Sequence, residues 1–332
     1  MRTRSTVSRA VGASLVAIAL VGAAQAADTA GVKPLKPLAT VATALQPGQL
    51  SMVATDDSIW IDTAKGVQRI DPKANAVVAT ILMPRQFGIG LAAAAGSVWA
   101  TDFDKNVVTR IDPATNKVVE TIAVGAGPQD LTFANGALWV GNKHGGSVSR
   151  IDPTTNMVVA TVKVGLPGPG GPQSTVGGFG DIWVAVSNNN AFVRIDPTTN
   201  QPKAQVKIPR TAAACGAIAV ARTRLWASSC DNFPTVAEIN PLTNKVSGLV
   251  FVGGYALGAV VAGGKAWYAV VDAAGRHPRL VRVEPGKKKP TAVRVLAPGV
   301  KSAGAMVRAF GSLWVADAGS GKVLRFPASV LK

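Results

Sequence analysis

Short runs of alternating apolar and polar residues recur along the whole chain, broken by Gly, Pro, Asn and Asp. The stretch from Gln129 to Val164 is representative. Its pattern predicts an inner strand near Asp130–Phe133, a turn at Asn135-Gly136 and a second strand over Ala137–Gly141 that carries Trp139. A third strand is expected over Ser147–Ile151 and a fourth over Met157–Val164, because Val, Ile and Trp suit a pleated, half-buried surface. Between the last two lies Asp152-Pro153-Thr154-Thr155-Asn156. There Pro presets φ, Asp bonds the backbone ahead of it, and Asn tolerates the left-handed conformation.

This unit repeats. The seven tryptophans, Trp60, Trp99, Trp139, Trp183, Trp226, Trp267 and Trp314, are spaced by 39, 40, 44, 43, 41 and 47 residues. A second landmark trails each of them: Ile-Asp-Pro at 70–72, 111–113, 151–153 and 195–197, then Ile239-Asn240-Pro241, Val283-Glu284-Pro285 and Phe326-Pro327. Four-stranded units of about 40 residues are the signature of propeller blades. The expected fold is all-β, a seven-bladed β-propeller of four-stranded antiparallel blades over residues 38–332. The last unit has strands at Gly304–Phe310, Leu313–Ala316 and Lys322–Phe326 and too few residues after them for a fourth. Leu38–Leu45 resembles an outer strand such as Val118–Ala123, so the N-terminal segment is expected to complete the last blade. A ring closed in this way has no open edge and is expected to be a monomer.

The first 26 residues read as a secretory signal peptide. Arg2, Arg4 and Arg9 are followed by an apolar stretch from about Val11 to Val21 and by Ala24-Gln25-Ala26, an A-x-A cleavage pattern. Residues 27–37 read as a leader. No other segment is apolar enough to span a membrane, so a periplasmic or secreted protein is expected. The net charge is +17, and removing the three arginines leaves +14. That balance favours acidic partners, and the expected partner is an acidic protein, a glycan or a small ligand. Nucleic acid is not expected, because export removes the protein from it and the 5% of aromatic residues leaves no stacking surface beyond the blades.

Cys215 and Cys230 are the only cysteines. If the fifth hairpin turns as the third does, its centre falls at 222.5 and the two face each other across a strand pair, which predicts a disulfide.

Turns after first and third strands lie on one face and are regular; connections after second and fourth strands lie on the other and vary. Function is expected on the variable face, around the channel mouth. Gln49, Gln86, Gln129 and Gln173 fall where inner strands enter the channel, a rim of amides for a polar ligand or for channel water. Asp102, Asn142 and Asp317 each follow a Trp by three residues, and oxygen ligands of this type suit calcium or magnesium or cap the turn that follows. Two long excursions, Gly165–Gly178 and Cys230–Thr235, are candidate pocket walls, and Lys287-Lys288-Lys289 reads as a solvated charge run on the regular face.

Units such as SVWATDFDKNVVTRIDPATNKVVETIAVG (97–125) resemble the YVTN-type propeller repeats of bacterial exported proteins and, more distantly, those of streptogramin B lyases. The resemblance covers about residues 38–332 and rests on the blade itself. A lyase route implies a histidine with acidic partners in one pocket. Only His144 and His277 exist, on loops of blades three and six. His277, beside Arg276 and near Asp272, is the one candidate base. The expectation is therefore a non-catalytic binding or interaction module, the alternative a streptogramin-lyase-like or lactonase-like enzyme with a divalent metal at the channel mouth.

Overall fold

The computed structural model describes residues 31–46, 51–83, 90–209, 216–229, 234–272 and 274–332. They form seven four-stranded antiparallel sheets and two 3-10 turns, Ser187–Asn189 and Ala328–Leu331. Blade 3 runs through Pro128–Ala134, Ala137–Asn142, Ser147–Asp152 and Met157–Lys163, within a residue or two of the expected bounds. In all seven blades the residue facing the tryptophan lies seven positions before it: Val53, Ala92, Thr132, Val176, Ala219, Val260 and Val307. The hairpins are thus equal in length, and position relative to Trp defines equivalent sites around the ring.

Burial follows depth in the blade. Second strands such as Ser97–Asp102 and Asp181–Val186 are buried at every residue, because neighbouring blades cover both of their faces. Outermost strands such as Ala76–Leu82 alternate between exposed and covered positions, with Ile81 alone fully buried. The apolar clusters lie across the seams: Trp139, Val148 and Val162 of blade 3 meet Ile182, Val184 and Val193 of blade 4. All seven indoles are fully buried. At about 25 cal/mol per Å² and about 200 Å² per indole, each contributes a gross burial term of about 5 kcal/mol.

The Asp-Pro-x-Thr-Asn turn behaves as its chemistry demands. Asp71, Asp152 and Asp196 accept the N–H two residues on, and these backbone bonds hold their carboxyls below the usual range. Asn75, Asn116, Asn156, Asn200 and Asn244 sit at φ between 52° and 58°. These turns also join the blades. Arg69 lies over Trp60 at 5.3 Å and donates through Nη1 to Pro113 O at 2.6 Å and Asn116 Oδ1 at 3.0 Å in the next blade. Arg110, Arg150 and Arg194 repeat the contact to Asn156, Asn200 and Asn244. Arg325 of blade 7 reaches Pro72 O at 2.6 Å and Asn75 Oδ1 at 3.1 Å in blade 1, closing the circle.

Two seams differ. Blade 5 carries Glu238 where the others carry Arg, and Glu238 Oε2 accepts Gly286 N–H of blade 6 at 3.0 Å; the Glu284-Pro285-Gly286 turn offers a donor in place of acceptors. Arg282 of blade 6 bonds within its own blade, to Thr291 and Glu284. The outer part of that seam is spanned by the ends of the described chain: Leu35 N–H donates to Val295 O at 2.8 Å and Arg294 Nη2 to Lys332 O at 3.3 Å. Ala39–Ala42 pairs antiparallel with Lys322–Arg325, so the N-terminal segment completes blade 7 as expected. Part of the presumed leader therefore packs on the ring.

The fifth hairpin is centred between Arg222 and Thr223, with Ile218 facing Ala227 and Ala221 facing Arg224, as the spacing predicts. Gly216 N–H donates to Ser228 O, and Ser228 N–H to Ala217 O, so two residues oppose one. This bulge adds one residue to the first strand at Gly216–Ala217. Cys215 and Cys230 themselves lie outside the described residues.

Candidate functional site

The inner strands enclose a central channel of about 410 Å³ lined by residues of all seven blades. Its inner ring stands nine positions before each tryptophan: Ser51, Gly90, Asp130, Ser174, Ala217, Gly258 and Ala305. Six of the seven are small, and at the glycines the strands converge too closely for a side chain. A Cβ on Gly90 would meet Asp130 Cα at 2.8 Å, and one on Gly258 would meet Gly304 O at 2.1 Å. Polar members of the ring bond the next blade. Ser51 Oγ accepts Leu91 N–H, Asp130 Oδ2 accepts Thr175 N–H at 2.8 Å, and Ser174 Oγ donates to Gly216 O.

One position nearer the N-terminus the inner strands of blades 3, 4 and 6 each carry a bulge. The extra residues are Gln129, Gln173 and Leu257, all of which line the channel. A bulge re-aims a side chain that the regular ladder would commit to pairing. Gln173 Nε2 donates to Ser187 Oγ at 2.6 Å, whereas Gln129 Oε1 is buried with no hydrogen-bond partner. Gln129 and Gln173 are equivalent by register. Counted from their tryptophans, Gln49 stands one residue earlier and Gln86 three earlier; both lie outside the described residues.

Asp130 is the residue that sequence reasoning missed. It is the one charged side chain among the described residues lining the channel. Burial pushes its carboxyl up to about 6, against the N–H groups of Thr175 and Leu131 and the Thr175 hydroxyl, which pull it down. Counting nine back from each Trp singles it out, because every other blade has Ser, Gly or Ala there.

The three rim candidates do not converge. Asp102, Asn142 and Asp317 belong to blades 2, 3 and 7 and end three separate second strands. Asp102 Oδ1 accepts Lys105 N–H at 3.1 Å, and its Oδ2 pairs with Lys105 Nζ at 3.1 Å. Asp317 accepts N–H groups of Lys301 and Ser302 and the Ser320 hydroxyl. Asn142 donates to Ser147 and Ser149 hydroxyls, with Oδ1 buried and unpartnered. Asp102 caps the turn that follows it, Asn142 bonds the strand beyond that turn, and Asp317 bonds both its following turn and the connection leading into blade 7. Among the described residues no group of three His, Cys, Asp or Glu is arranged to hold a metal.

On the blade 6 connection, His277 Nδ1 lies 2.8 Å from Asp272 Oδ2, with the histidine at φ 53°. Asp272 also accepts N–H groups of Ala274 and Arg276. Burial works to raise its carboxyl, but the Arg276 N–H, the imidazole and the Ala274 N–H outweigh it and hold it below the usual range. A carboxylate on Nδ1 leaves Nε2 as the outward base. His144, on blade 3, instead meets the Phe103 ring edge-on at 4.9 Å. The Leu166–Gly171 stretch closes on its neighbours: Gly168 N–H donates to His144 O and Asn188 N–H to Gly170 O.

No family model matches the chain, and no curated protein matches it. Solved structures share its fold. A catalytically inactive variant of virginiamycin B lyase from Staphylococcus aureus with quinupristin superimposes with a TM-score of 0.67 at 16% identity over 87% of this chain and 99% of that one. A streptogramin B lyase gives 0.68 at 15%, over 86% and 96%. The WD40 propeller domain of Doa1 gives 0.68 at 12%, over 88% and 97%. The likeness is one of fold. No helix of the described residues is long and apolar enough to cross a membrane.

Proposed function

We propose that this chain is a non-catalytic binding propeller, of the exported YVTN type that its repeats resemble, with its site in the central channel and the connections around it. The observation that supports this reading is the channel itself, about 410 Å³ and lined by both polar and apolar groups, the usual make-up of a small-ligand site. The signal-peptide pattern of residues 1–26 supports a location in the periplasm or outside the cell. There the basic surface favours an acidic protein or glycan as the further partner. The test is thermal unfolding against a set of small polar compounds. Compounds that bind the native state raise its melting temperature, and Leu257→Trp, which fills the channel, removes those shifts while the protein stays folded. Shifts that survive Leu257→Trp place the site elsewhere.

The His277–Asp272 pair favours a second reading, a lyase-like or lactonase-like enzyme with His277 as base. Incubation with quinupristin and magnesium, followed by chromatography, decides it: turnover lost in His277→Ala supports the enzyme, and an intact substrate ends that reading.

A further inference from the structure

The two walls of the channel differ in chemistry. On the side of blades 3 and 4 stand three oxygen acceptors: the Asp130 carboxylate, Gln129 Oε1 and Gln173 Oε1. Gln129 Oε1 is buried and unpartnered. The Gln173 amide nitrogen donates to Ser187, which makes its oxygen the end able to accept. Across the channel, blades 6 and 7 contribute Leu257, Ala259 and Met306. No Lys, Arg or His is among the described residues that line the cavity.

A buried acceptor without a donor is costly, and so is a partly buried carboxylate with no cation beside it, as at Asp130. Both costs are relieved by a ligand that supplies N–H donors and positive charge; an anion would meet the carboxylate instead. Resting on the channel-binding reading, we propose that the site takes a small organic ammonium ion, its charged head on Asp130, Gln129 and Gln173 and its apolar body against Leu257 and Met306. An ammonium has three donors and no acceptor, which matches three acceptors on one wall.

A pH dependence follows. Asp130 titrates near 6 in the empty channel, and Tyr255 is the only other ionisable residue among those described in the lining. An ammonium ion favours the charged carboxylate, so binding lowers the Asp130 pKa, and affinity falls as the pH drops through 6.

The probes are benzylammonium chloride and its neutral counterpart, benzyl alcohol, compared by calorimetric titration at pH 7.5. Benzylammonium is expected to bind at least about tenfold more tightly, a difference that Asp130→Asn reduces to about twofold or less. Asn keeps an oxygen for Thr175 N–H, so the variant folds. Gln129→Leu is expected to weaken benzylammonium about threefold with little effect on the alcohol. By carbon NMR, the Asp130 carboxyl moves to a lower pKa when benzylammonium is added. Equal binding of the two probes, both lost in Leu257→Trp, overturns the ammonium assignment and leaves the channel as the site. Saturable binding of neither also overturns it, while the channel reading stands or falls on the broader compound set.

Discussion

Each blade is joined to the next at two levels, and the two are built on opposite principles. On the regular face five seams use one device, an arginine over its own tryptophan that reaches the proline carbonyl and asparagine of the following turn. At the channel the seams differ from one another. A serine accepts at one, a backbone N–H meets the Gln129 carbonyl at the next, and a carboxylate accepts at the third. Where the outer latch is missing, between blades 6 and 7, the inner strands approach so closely that Gly258 has no room for a Cβ. Uniformity serves closure of the ring, and variation creates the one place where the chemistry is not repeated.

The comparison can be broken most severely at closure. Deleting residues 31–46 removes the outer strand of blade 7 and the Leu35 contact, leaving an exposed strand edge. Loss of cooperative unfolding and aggregation on gel filtration are expected; a monomer with unchanged urea unfolding would show that the strand is dispensable. Next, Gly258→Ala drives a methyl into the Gly304 carbonyl. A cost of about 3 kcal/mol is expected in urea denaturation, and a change under about 1 kcal/mol would mean that the inner seam relaxes readily.

Arg110→Met removes the latch to Asn156 and leaves buried acceptors behind. It is expected to cost about 2–3 kcal/mol, against about 1 kcal/mol or less for Arg282→Met, whose bonds stay within its own blade. Equal costs would erase the distinction between latched and unlatched seams.

The smallest effect lies at the carboxylate seam. Because the folded pKa of Asp130 is raised to about 6, the native state holds a proton between about pH 4 and 6 that the unfolded chain has lost, and stability falls as pH rises through that window. Asp130→Asn removes this penalty, so the variant should gain on the order of 2 kcal/mol relative to the native sequence on going from pH 4 to pH 8. A difference that is flat with pH would mean that Asp130 titrates normally.

Much of this was legible in advance. The tryptophans and the Ile-Asp-Pro landmark count the blades, and the resemblance of Leu38–Leu45 to an outer strand anticipates the closure of blade 7. The role of the repeated arginines was not visible, because four of them act across a seam on a turn 46–50 residues ahead and Arg325 on one 250 residues back. The replacement at Glu238 makes sense only beside Gly286. In the site, Asp102, Asn142 and Asp317 attracted notice through residue type, and the structure gives each a separate set of hydrogen-bond partners. Asp130 escaped notice because it read only as the first residue of an inner strand, one more polar position in an alternating pattern.

Periodicity by itself determined the all-β ring, its seven blades, its equal hairpins and the turns that punctuate them, since alternation, β-branched runs and Asp-Pro-x-Thr-Asn act over a few residues. Tertiary structure alone decided which oxygen of the channel was left without a donor and where a carboxylate was half-buried with no cation among the described lining residues. Those properties depend on residues brought together from different blades, and no local pattern encodes that distance.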